Sequence, residues 1–325
     1  MKQHTSTAEA DVPRRLAVPR SEVPDLHTTA NGAGKKRDRA GLVSAARGAA
    51  AAAAQRAGVS VGPLPEMVDA AAAAALWARV WGRNGDAPMN AELLRALSES
   101  GNYLAGALRD ATLVGALAGF YAGVGRPDHL HSHILGVDSS TRVGGVGFAL
   151  KLDQRSWALD RDLDEIRWTF DPLVRGNAYF NLSKLGAQGV RYHVNFYGAM
   201  PDEINGGDES DRLLVSWQLG SAEAVTSSAG LAAEAEIDVL LAAGAQIVVA
   251  VGSEGEPRLK PCAAEVRLCQ IPQDIVDLRQ RRPALARHWR LAVREAMRSA
   301  FANGLHVRSF SRAGWYVLAR PDKSI

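Results

Sequence analysis

Three closely spaced glycines, Gly144, Gly145 and Gly147, follow a polar segment that carries Arg142. Glycine lets the backbone approach a ligand closely, and the first N–H groups of a following helix have no partners within that helix. The start of a helix also carries a partial positive charge. Together with the guanidinium of Arg142, these features predict a cradle for a pyrophosphate or a similar anion.

Three histidines, His129, His131 and His133, alternate along the strand-like segment before the glycines. Side chains two residues apart share a strand face, so the three rings are expected on one face. An imidazole with an ordinary pKa of about 6.5 accepts a proton near neutrality, which makes His131 and His133 candidates for a general base. Two other interpretations stay open, a structural histidine cluster and a metal site. A metal site would need further ligands, because three histidines on one strand do not converge on one tetrahedral ion.

The spacing of the glycines argues against two common nucleotide-binding loops. A dinucleotide-binding turn has Gly-x-Gly-x-x-Gly directly after its strand, and the third glycine is missing here. A P-loop ends in Gly-Lys-Ser/Thr, which this segment lacks. Cys262 and Cys269 are too few for a four-thiolate zinc site or a disulfide framework, and they lie far from the motif. A covalent cysteine mechanism is therefore not expected.

Hydrophobic patterning places these residues in an α/β (α+β) fold. Strands are predicted at 59–61, 102–109, 113–122, 130–137, 166–170, 190–197 and 213–219, and helices at 67–81, 90–99, 146–159 and 178–185. The resulting order, β-α-α-β-β-β-α-β-α-β-β, favours a mixed central sheet with helices on both faces. A tight turn around Asp110 joins the second and third strands as a hairpin.

Two flanking regions differ from this central part. Residues 1–57 are predicted to be a disordered or alanine-rich tail, with an alanine run that favours helix but has nothing evident to pack on. Residues 58–220 form the expected main domain, and 221–325 a smaller α/β extension after a linker-like stretch. The extension has predicted strands at 246–251, 266–271, 306–310 and 315–319. It also has a long predicted helix at 273–303, broken or kinked at Pro283, whose many arginines are expected on a solvated face.

The pattern Arg142-x-x-Gly145-x-Gly147 resembles the acyl-CoA signature of the GNAT N-acyltransferase superfamily, Gln/Arg-x-x-Gly-x-Gly/Ala. It lies where that family has it, between the fourth strand and the third helix. A second landmark agrees: Asn177 and a short helix closing in Lys-Leu-Gly-Ala, with Ala187 in place of the usual Phe. The resemblance covers about 59–219 and implies a GNAT-like sheet. More narrowly, 168–173 and 195–198 resemble a branch of predicted acyltransferases with a C-terminal extension, some of them associated with N-succinylation of amino acids.

The resemblance implies where an acyl-CoA would bind. The strand before the loop would diverge from its neighbour, and the pantetheine arm would pair with its exposed backbone. The thioester carbonyl would then lie near a backbone N–H able to stabilise an oxyanion. The residues implied in binding acyl-CoA are Leu135, Gly136, Val137, Arg142, Val143, Gly144, Gly145, Val146, Gly147 and Asn177.

The resemblance also implies catalytic positions. The family often has a glutamate where this chain has His131, so His131, with His133 beside it, is the expected base. The usual acid is a tyrosine at the position of Leu182, and its absence leaves Tyr179, Asn181, Tyr197 or water to protonate the departing thiolate.

Three residues are candidates for binding the substrate. Asp171, at the end of a strand, could orient an amine, with helix capping or a turn before Pro172 as the alternative. Arg175 and Arg212 could each bind a carboxylate in a bidentate manner, and solvated surface arginines are the alternative.

Composition excludes several other classes. The formal net charge is only +3, and the basic excess lies in the first 56 residues, which leaves the remainder slightly acidic. Nucleic-acid binding therefore has no compositional support. No apolar stretch reaches the length of a membrane span, no secretory signal is evident, and the sparse cysteines fit a cytoplasmic protein.

The sequence thus predicts an acyl-CoA-dependent N-acyltransferase that moves an acetyl or succinyl group from acetyl-CoA or succinyl-CoA to the primary amine of a small metabolite, such as an amino acid, in a ternary complex. No metal, nucleic acid or membrane partner is expected, and a homo-oligomer is compatible with the sequence. A non-catalytic CoA-binding sensor or scaffold, and a metallohydrolase built on the three histidines, are the alternatives.

Overall fold

The computed structural model describes residues 32–82, 87–138, 144–198, 208–232 and 234–321 of the 325-residue chain. The helices are α1 (Gly32–Ala57), α2 (Met67–Val80), α3 (Ala91–Glu99), α4 (Val146–Leu159), α5 (Arg175–Ala178), α6 (Ala222–Ser228), α7 (Ile237–Ala242), α8 (Ile275–Arg281) and α9 (Pro283–Ala302). The strands are β1 (Ser60–Pro63), β2 (Tyr103–Arg109), β3 (Thr112–Ala122), β4 (His129–Val137), β5 (Glu165–Phe170), β6 (Gln188–His193), β7 (Arg212–Gln218), β8 (Gln246–Val251), β9 (Pro257–Leu259), β10 (Arg267–Gln270), β11 (His306–Phe310) and β12 (Trp315–Ala319). Helix α5 continues as a π-helical segment, Tyr179–Lys184.

The described strands form one mixed sheet in the order β1-β2-β3-β4-β5-β7-β6-β11-β12-β10-β8-β9. Strands β1 to β4 pair antiparallel in sequence order, and β4 and β5 are parallel. The hairpin between β2 and β3 turns at Asp110 and Ala111, both with positive φ, as such tight turns require. From β1 onward the element order up to β7 is the predicted one, and the mixed sheet with flanking helices is confirmed.

Helices cover both faces of the sheet. On one face α2 packs through Leu76 and Trp77, whose indole N–H donates to the carbonyl of Ala116 on β3 at 3.3 Å. On the other face α4 buries Ala149, Leu150 and Leu152 in the largest core cluster, which extends through β5 and β7 into the C-terminal part of the chain. Burial of these apolar side chains is the main force that holds the helices on the sheet.

The alanine-rich N-terminal segment differs from the expectation of a tail, because α1 packs along α4. Ala46, Ala53 and Ala57 are almost fully buried and share the core cluster with α4. Small side chains on this face let the two helix backbones come close. Arg47 pairs with Asp160 at 2.7 Å, just after the C-terminal end of α4. Helix α1 is thus a layer over the outer face of α4.

The C-terminal part of the chain extends the sheet. Strand β11 meets β6 at the pair Val307 and Gly189, and β12, β10, β8 and β9 follow outward. The linker-like stretch contains α6, and 237–242 form α7, neither of which the sequence pattern predicts. The predicted long helix is two helices, α8 and α9, because Pro283 begins a new helix at its first position. How the chain divides into domains stays a prediction.

Candidate active site

Strands β4 and β5 separate after two residue pairs. Leu130 pairs with Ile166 and His131 with Arg167, and no further pair joins the two strands. Each strand keeps its other neighbour, since β4 pairs with β3 as far as Val137 and β5 pairs with β7 through its whole length. The two strands therefore enclose an opening between them, called the wedge below, and this divergence is what the sequence resemblance predicted.

A β-bulge marks the point of separation. Opposite β4, Ala118 pairs with Ile134 and Gly119 with Ser132, so His133 is the extra residue of β4. A bulge changes which residues face each side of a sheet. Before it, Ser132 faces α4, where it contacts Lys151. After the bulge, the odd-numbered residues of β4 face α4. The simple alternation in the sequence does not predict this change of face.

The predicted pantetheine-pairing residues line the open edge of β4. Leu135 and Val137 lie beside the start of α4, within 3.6–3.7 Å of the position that a Cβ on Gly147 would occupy. Gly136 faces the other side of the sheet, where α2 packs. A Cβ on Gly136 would lie 2.4 Å from Trp77 Cδ1 of α2, so a larger residue at this position would clash with that helix. Edge N–H and C=O groups of this half of β4 thus face the wedge without a β5 partner.

The glycine-rich turn leads into α4 at the mouth of the wedge. Gly145 occupies the N-cap with φ +102°, a left-handed conformation that glycine adopts without strain. Space around Gly144 is open, and Val146 begins the helix. The first N–H groups of α4 have no partners within the helix, as an anion cradle needs. Arg142 and Val143 lie outside the described residues.

Two of the three histidines form an aromatic cluster with Phe120 of β3. The ring centroids of His131 and His133 lie 5.8 Å apart, and Phe120 is 4.9 Å from the first and 5.7 Å from the second. His129 instead pairs with Asp128. Burial, followed by repulsion from His133, His129 and Lys151, lowers the pKa of His131 to about 4, and burial also lowers the pKa of His133. Both rings are therefore neutral near pH 7, but they are weaker bases than the sequence implies.

A buried lysine closes the narrow end of the wedge. Lys151 of α4 is 2% exposed, and its Nζ donates to Ser132 Oγ at 2.8 Å and to Gln154 Oε1 at 3.3 Å. The same nitrogen lies 3.7 Å from the centroid of the Trp168 ring on β5. The Trp168 indole N–H in turn donates to Asn181 Oδ1 at 3.1 Å. The sequence pattern does not predict this cluster, because its only local signal is one lysine among the apolar positions of α4.

Asp171 is held by two arginines of the C-terminal helices. Its Oδ2 accepts a hydrogen bond from Nη2 of Arg279 and lies 3.6 Å from Nη2 of Arg290, while Oδ1 accepts from the backbone N–H of Leu173 at 3.0 Å. Burial alone would raise the pKa of Asp171, but the two guanidinium groups outweigh it and lower the pKa. Asp171 thus makes a turn contact at Pro172, and its role in orienting a substrate amine stays a prediction.

Two arginines of α9, Arg290 and Arg294, contact two further aspartates just before β7, Asp208 and Asp211. Arg290 Nε donates to Asp208 Oδ2 at 2.8 Å. Arg294 forms two hydrogen bonds with Asp211, at 2.8 and 2.9 Å, and the hydroxyl of Tyr192 donates to the same carboxylate at 2.7 Å. The prediction that these arginines lie on a solvated face is therefore wrong for Arg279 and Arg290, which are 7% and 1% exposed. Helical periodicity did not reveal this, because the partners are more than 80 residues away.

The other candidate residues are distributed around this network. Arg212 begins β7, donates to the carbonyl of Asp211 at 2.9 Å and stacks at 5.3 Å on Tyr197, which is exposed. Burial lowers the pKa of Arg212. Arg175 has different partners: its guanidinium donates to the backbone carbonyls of Ile271 and Pro272 at 2.7 and 2.9 Å, linking α5 to the C-terminal part of the chain.

Tyr179 and Asn177 lie on the short helical segment after β5. The hydroxyl of Tyr179 accepts from Arg312 Nε at 2.9 Å, and the guanidinium stacks on its ring at 4.9 Å. Asn177 is exposed. Leu182, at the usual position of the acid, is buried in the core. No described contact joins Tyr179 to His131 or His133.

Neither a metal centre nor a membrane span is found in the described part of the chain. No three His, Cys, Asp or Glu side chains converge there as metal ligands would. None of the helices described is both long and apolar enough to cross a bilayer.

Comparison with solved structures gives matches for half of the chain. The ribosomal-protein-S18-alanine N-acetyltransferase of Escherichia coli is 13% identical, with 50% of this chain and 96% of that one covered at a TM-score of 0.41. Aminoglycoside 6'-acetyltransferase type Ii is 18% identical, with 50% of this chain and 97% of that one covered at a TM-score of 0.39. The NatC complex bound to Gag peptide and CoA is 14% identical, with 49% of this chain and 98% of that one covered at a TM-score of 0.38. No protein-family model matches the chain, and its sequence matches no curated protein.

Proposed function

We propose that this chain, which has the GNAT arrangement of strands from β1 to β7, is an acyl-CoA-dependent N-acyltransferase. The observation that carries the proposal is the separation of β4 from β5 beside a glycine-rich helix start. A strand edge with free backbone groups can pair with an amide-containing arm, and the adjacent helix start can hold its phosphates. The two features lie next to each other, as one pantetheine-linked nucleotide would need.

The residues present fit an acyl-CoA. Space around Gly144 is open, a Cβ on Gly147 would be in ordinary contact with Leu135 and Val137, and the positive φ of Gly145 turns the backbone into α4. We propose that Arg142 to Gly147 hold the pyrophosphate and that Leu135 to Val137 hold the pantetheine amides. We also place Asn177 near the pantetheine arm. When bound, the acyl-CoA supplies an activated acyl group as a thioester.

The bulge in β4 provides a group for the thioester carbonyl. His133, as the extra residue, is displaced from the regular β3–β4 ladder. We propose that its backbone N–H stabilises the negative charge that develops on the carbonyl oxygen, as an oxyanion hole does. Its position at the closed end of the wedge agrees with this role.

The histidine cluster is the proposed proton acceptor. The acceptor amine must lose a proton while the C–N bond forms and the C–S bond breaks. Neutral His131 or His133 takes that proton, directly or through water, because burial keeps both rings unprotonated near pH 7. The departing thiolate takes a proton from Tyr179 or from water. A Tyr179→Phe variant separates these two sources, since only the first predicts a lower kcat.

The acceptor is proposed to approach beside the start of β7. Arg212 lies on Tyr197 and is the guanidinium placed to bind a substrate carboxylate, which favours an amino acid or a related small amine. Asp171 acts there as a positioning residue through Arg279 and Arg290. Arg175 contacts carbonyls of the C-terminal part of the chain, so we propose for it a role in holding that part in place.

Two measurements on the full chain test the proposal. Isothermal titration calorimetry with acetyl-CoA and with CoA should show binding, and free thiol should appear when an amino-acid panel is added to acetyl-CoA or succinyl-CoA. Binding without thiol release with any amine would favour the non-catalytic CoA-binding protein. Absence of binding to either compound would refute the proposal altogether.

A further inference from the structure

Lys151 has a position that the proposed mechanism does not use. Its Nζ contacts Ser132 of β4 and the ring of Trp168 of β5. The last pair that joins the two strands is His131 with Arg167, and Ser132 and Trp168 are the residues that directly follow it. The Lys151 nitrogen therefore bridges β4 and β5 at the closed end of the wedge, where the function proposed above places the thioester.

No carboxylate pairs with Lys151 among the residues that the structure describes. The nearest acidic side chain on its own helix, Asp153, accepts from the hydroxyl of Tyr103 at 2.7 Å. Glu165 of β5 is paired with Arg167 at 2.7 Å. Burial without a counter-charge lowers the pKa of Lys151 well below its usual value. A buried ammonium group without an anion is costly, and a methionine would fill the same space without that cost.

The groups around Nζ are those that recognise an anion. Ser132 Oγ accepts from Lys151, which leaves its own hydrogen available for donation. Gln154 is fully buried, and its Nε2 has no hydrogen-bond partner in the described part of the chain. The face of Trp168 stabilises a cation above it. The Lys151 nitrogen and the Ser132 hydroxyl thus lie together without an acceptor that bears charge, and Gln154 Nε2, beside Gly119 of β3, is a further buried donor without a partner in the described part of the chain.

We infer that Lys151 binds a carboxylate at the far end of the acyl chain, so that the acyl donor is the CoA monothioester of a short dicarboxylic acid. This inference rests on the function proposed above, and it names the class of donor. The transfer step itself is unchanged: the C–S bond breaks, the C–N bond forms, and the carboxylate keeps its charge throughout. Lys151 selects the donor without touching the reacting atoms.

Calorimetric titration with succinyl-CoA and butyryl-CoA tests the inference, because the two acyl groups have the same number of carbons and differ in the terminal carboxylate. The wild-type chain should bind succinyl-CoA about 10- to 100-fold more tightly, the range expected for a charge-assisted hydrogen bond. In Lys151→Met the ratio should fall to about one, while the affinity for butyryl-CoA stays the same or rises. Lys260→Met, a change at an exposed lysine on the outer part of the sheet, should keep the wild-type ratio.

The outcomes separate the two proposals. Equal affinity for succinyl-CoA and butyryl-CoA in the wild-type chain would overturn the inference and leave the N-acyltransferase proposal standing. A preference for succinyl-CoA that persists in Lys151→Met would also overturn it. If no CoA compound binds, the proposed function fails and the inference fails with it.

Discussion

Asp171, directly after β5, and Arg279, in α8, are joined by a buried hydrogen-bonded ion pair between Oδ2 and Nη2, although 108 positions separate them in the sequence. Through this pair the C-terminal part of the chain is tied to the end of the strand that forms one side of the wedge. The side chains of Asp171 and Arg279 are only 7% and 2% exposed. If one of them is removed, water therefore cannot hydrate the charge of the other.

Removal of one partner should therefore destabilise the protein strongly. We expect Arg279→Met to lower the free energy of unfolding by about 3–5 kcal/mol, because the Asp171 carboxylate would stay buried with Arg290 as its remaining close cation. Urea denaturation measures this. The double variant Asp171→Asn with Arg279→Met should recover part of the loss, and Arg287→Met, an exposed change on α9, should stay within about 0.5 kcal/mol of wild type. Equal effects at Arg279 and Arg287 would contradict the buried pair.

The cradle at the start of α4 is tested by a charged side chain at Gly147. A Cβ there fits in ordinary contact with Leu135 and Val137, so Gly147→Ala should fold and bind acetyl-CoA. Gly147→Glu should lose binding by at least about 100-fold, because a carboxylate would repel the phosphates at a helix start. Gly48→Glu adds the same charge on the exposed side of α1 and serves as the matched control. Unchanged calorimetric affinity in Gly147→Glu would exclude this loop as the phosphate site.

The lowered pKa of His131 predicts a dependence of stability on pH. In the folded protein the ring titrates at about 4, and in the unfolded chain at about 6.5, so the unfolded chain binds more protons between these values. Stability should therefore fall as the pH decreases from about 6.5 to 4. Melting temperatures across this range should decrease less steeply in His131→Gln than in wild type. Parallel curves for the two proteins would mean that His131 has an ordinary pKa.

Catalysis by His131 should follow the same pKa. We expect His131→Gln to lower kcat by about 10²–10⁴-fold, the usual range for general-base assistance, with little change in the KM for acyl-CoA. The wild-type rate should be insensitive to His131 ionisation between pH 6 and 8, since the ring is already neutral there. His133→Gln is the companion variant on the same cluster. Full activity in both variants would make the histidines structural and leave water as the proton acceptor.

The packing of α1 on α4 is tested by the same substitution at two positions of α1, one buried against the core and one exposed to solvent. Ala53 is 3% exposed against the core, and Ala51 faces solvent. Ala53→Arg should lower the free energy of unfolding by about 1–3 kcal/mol or more, because a long side chain overfills the contact, while Ala51→Arg should be nearly neutral. Thermal unfolding distinguishes them. A neutral Ala53→Arg would support the tail that the composition suggests.

The sequence by itself determined the elements from β1 to β7 and the motif at the start of α4. Alternation and helical periodicity are local, and each such segment buries one face of its own, so β4, β5 and α4 were predicted close to their observed bounds. The glycines of the cradle were found from their spacing in the pattern Arg142-x-x-Gly145-x-Gly147, and the structure gives Gly145 a left-handed conformation that other residues adopt only with strain.

Only the tertiary structure decided which side chains meet. Lys151 contacts Ser132 and Trp168, which lie on two separate strands. The helical pattern around Lys151 does not predict these contacts. The sequence pattern predicts Arg279 and Arg290 to be surface arginines, because their aspartate partners, Asp171 and Asp208, are more than 80 residues away in the sequence. The bulge at His133 changes the facing of β4 by one residue, which alternation does not foresee. Long-range burial and pairing set these features, because the free energy of a buried charge depends on partners that the local sequence does not contain.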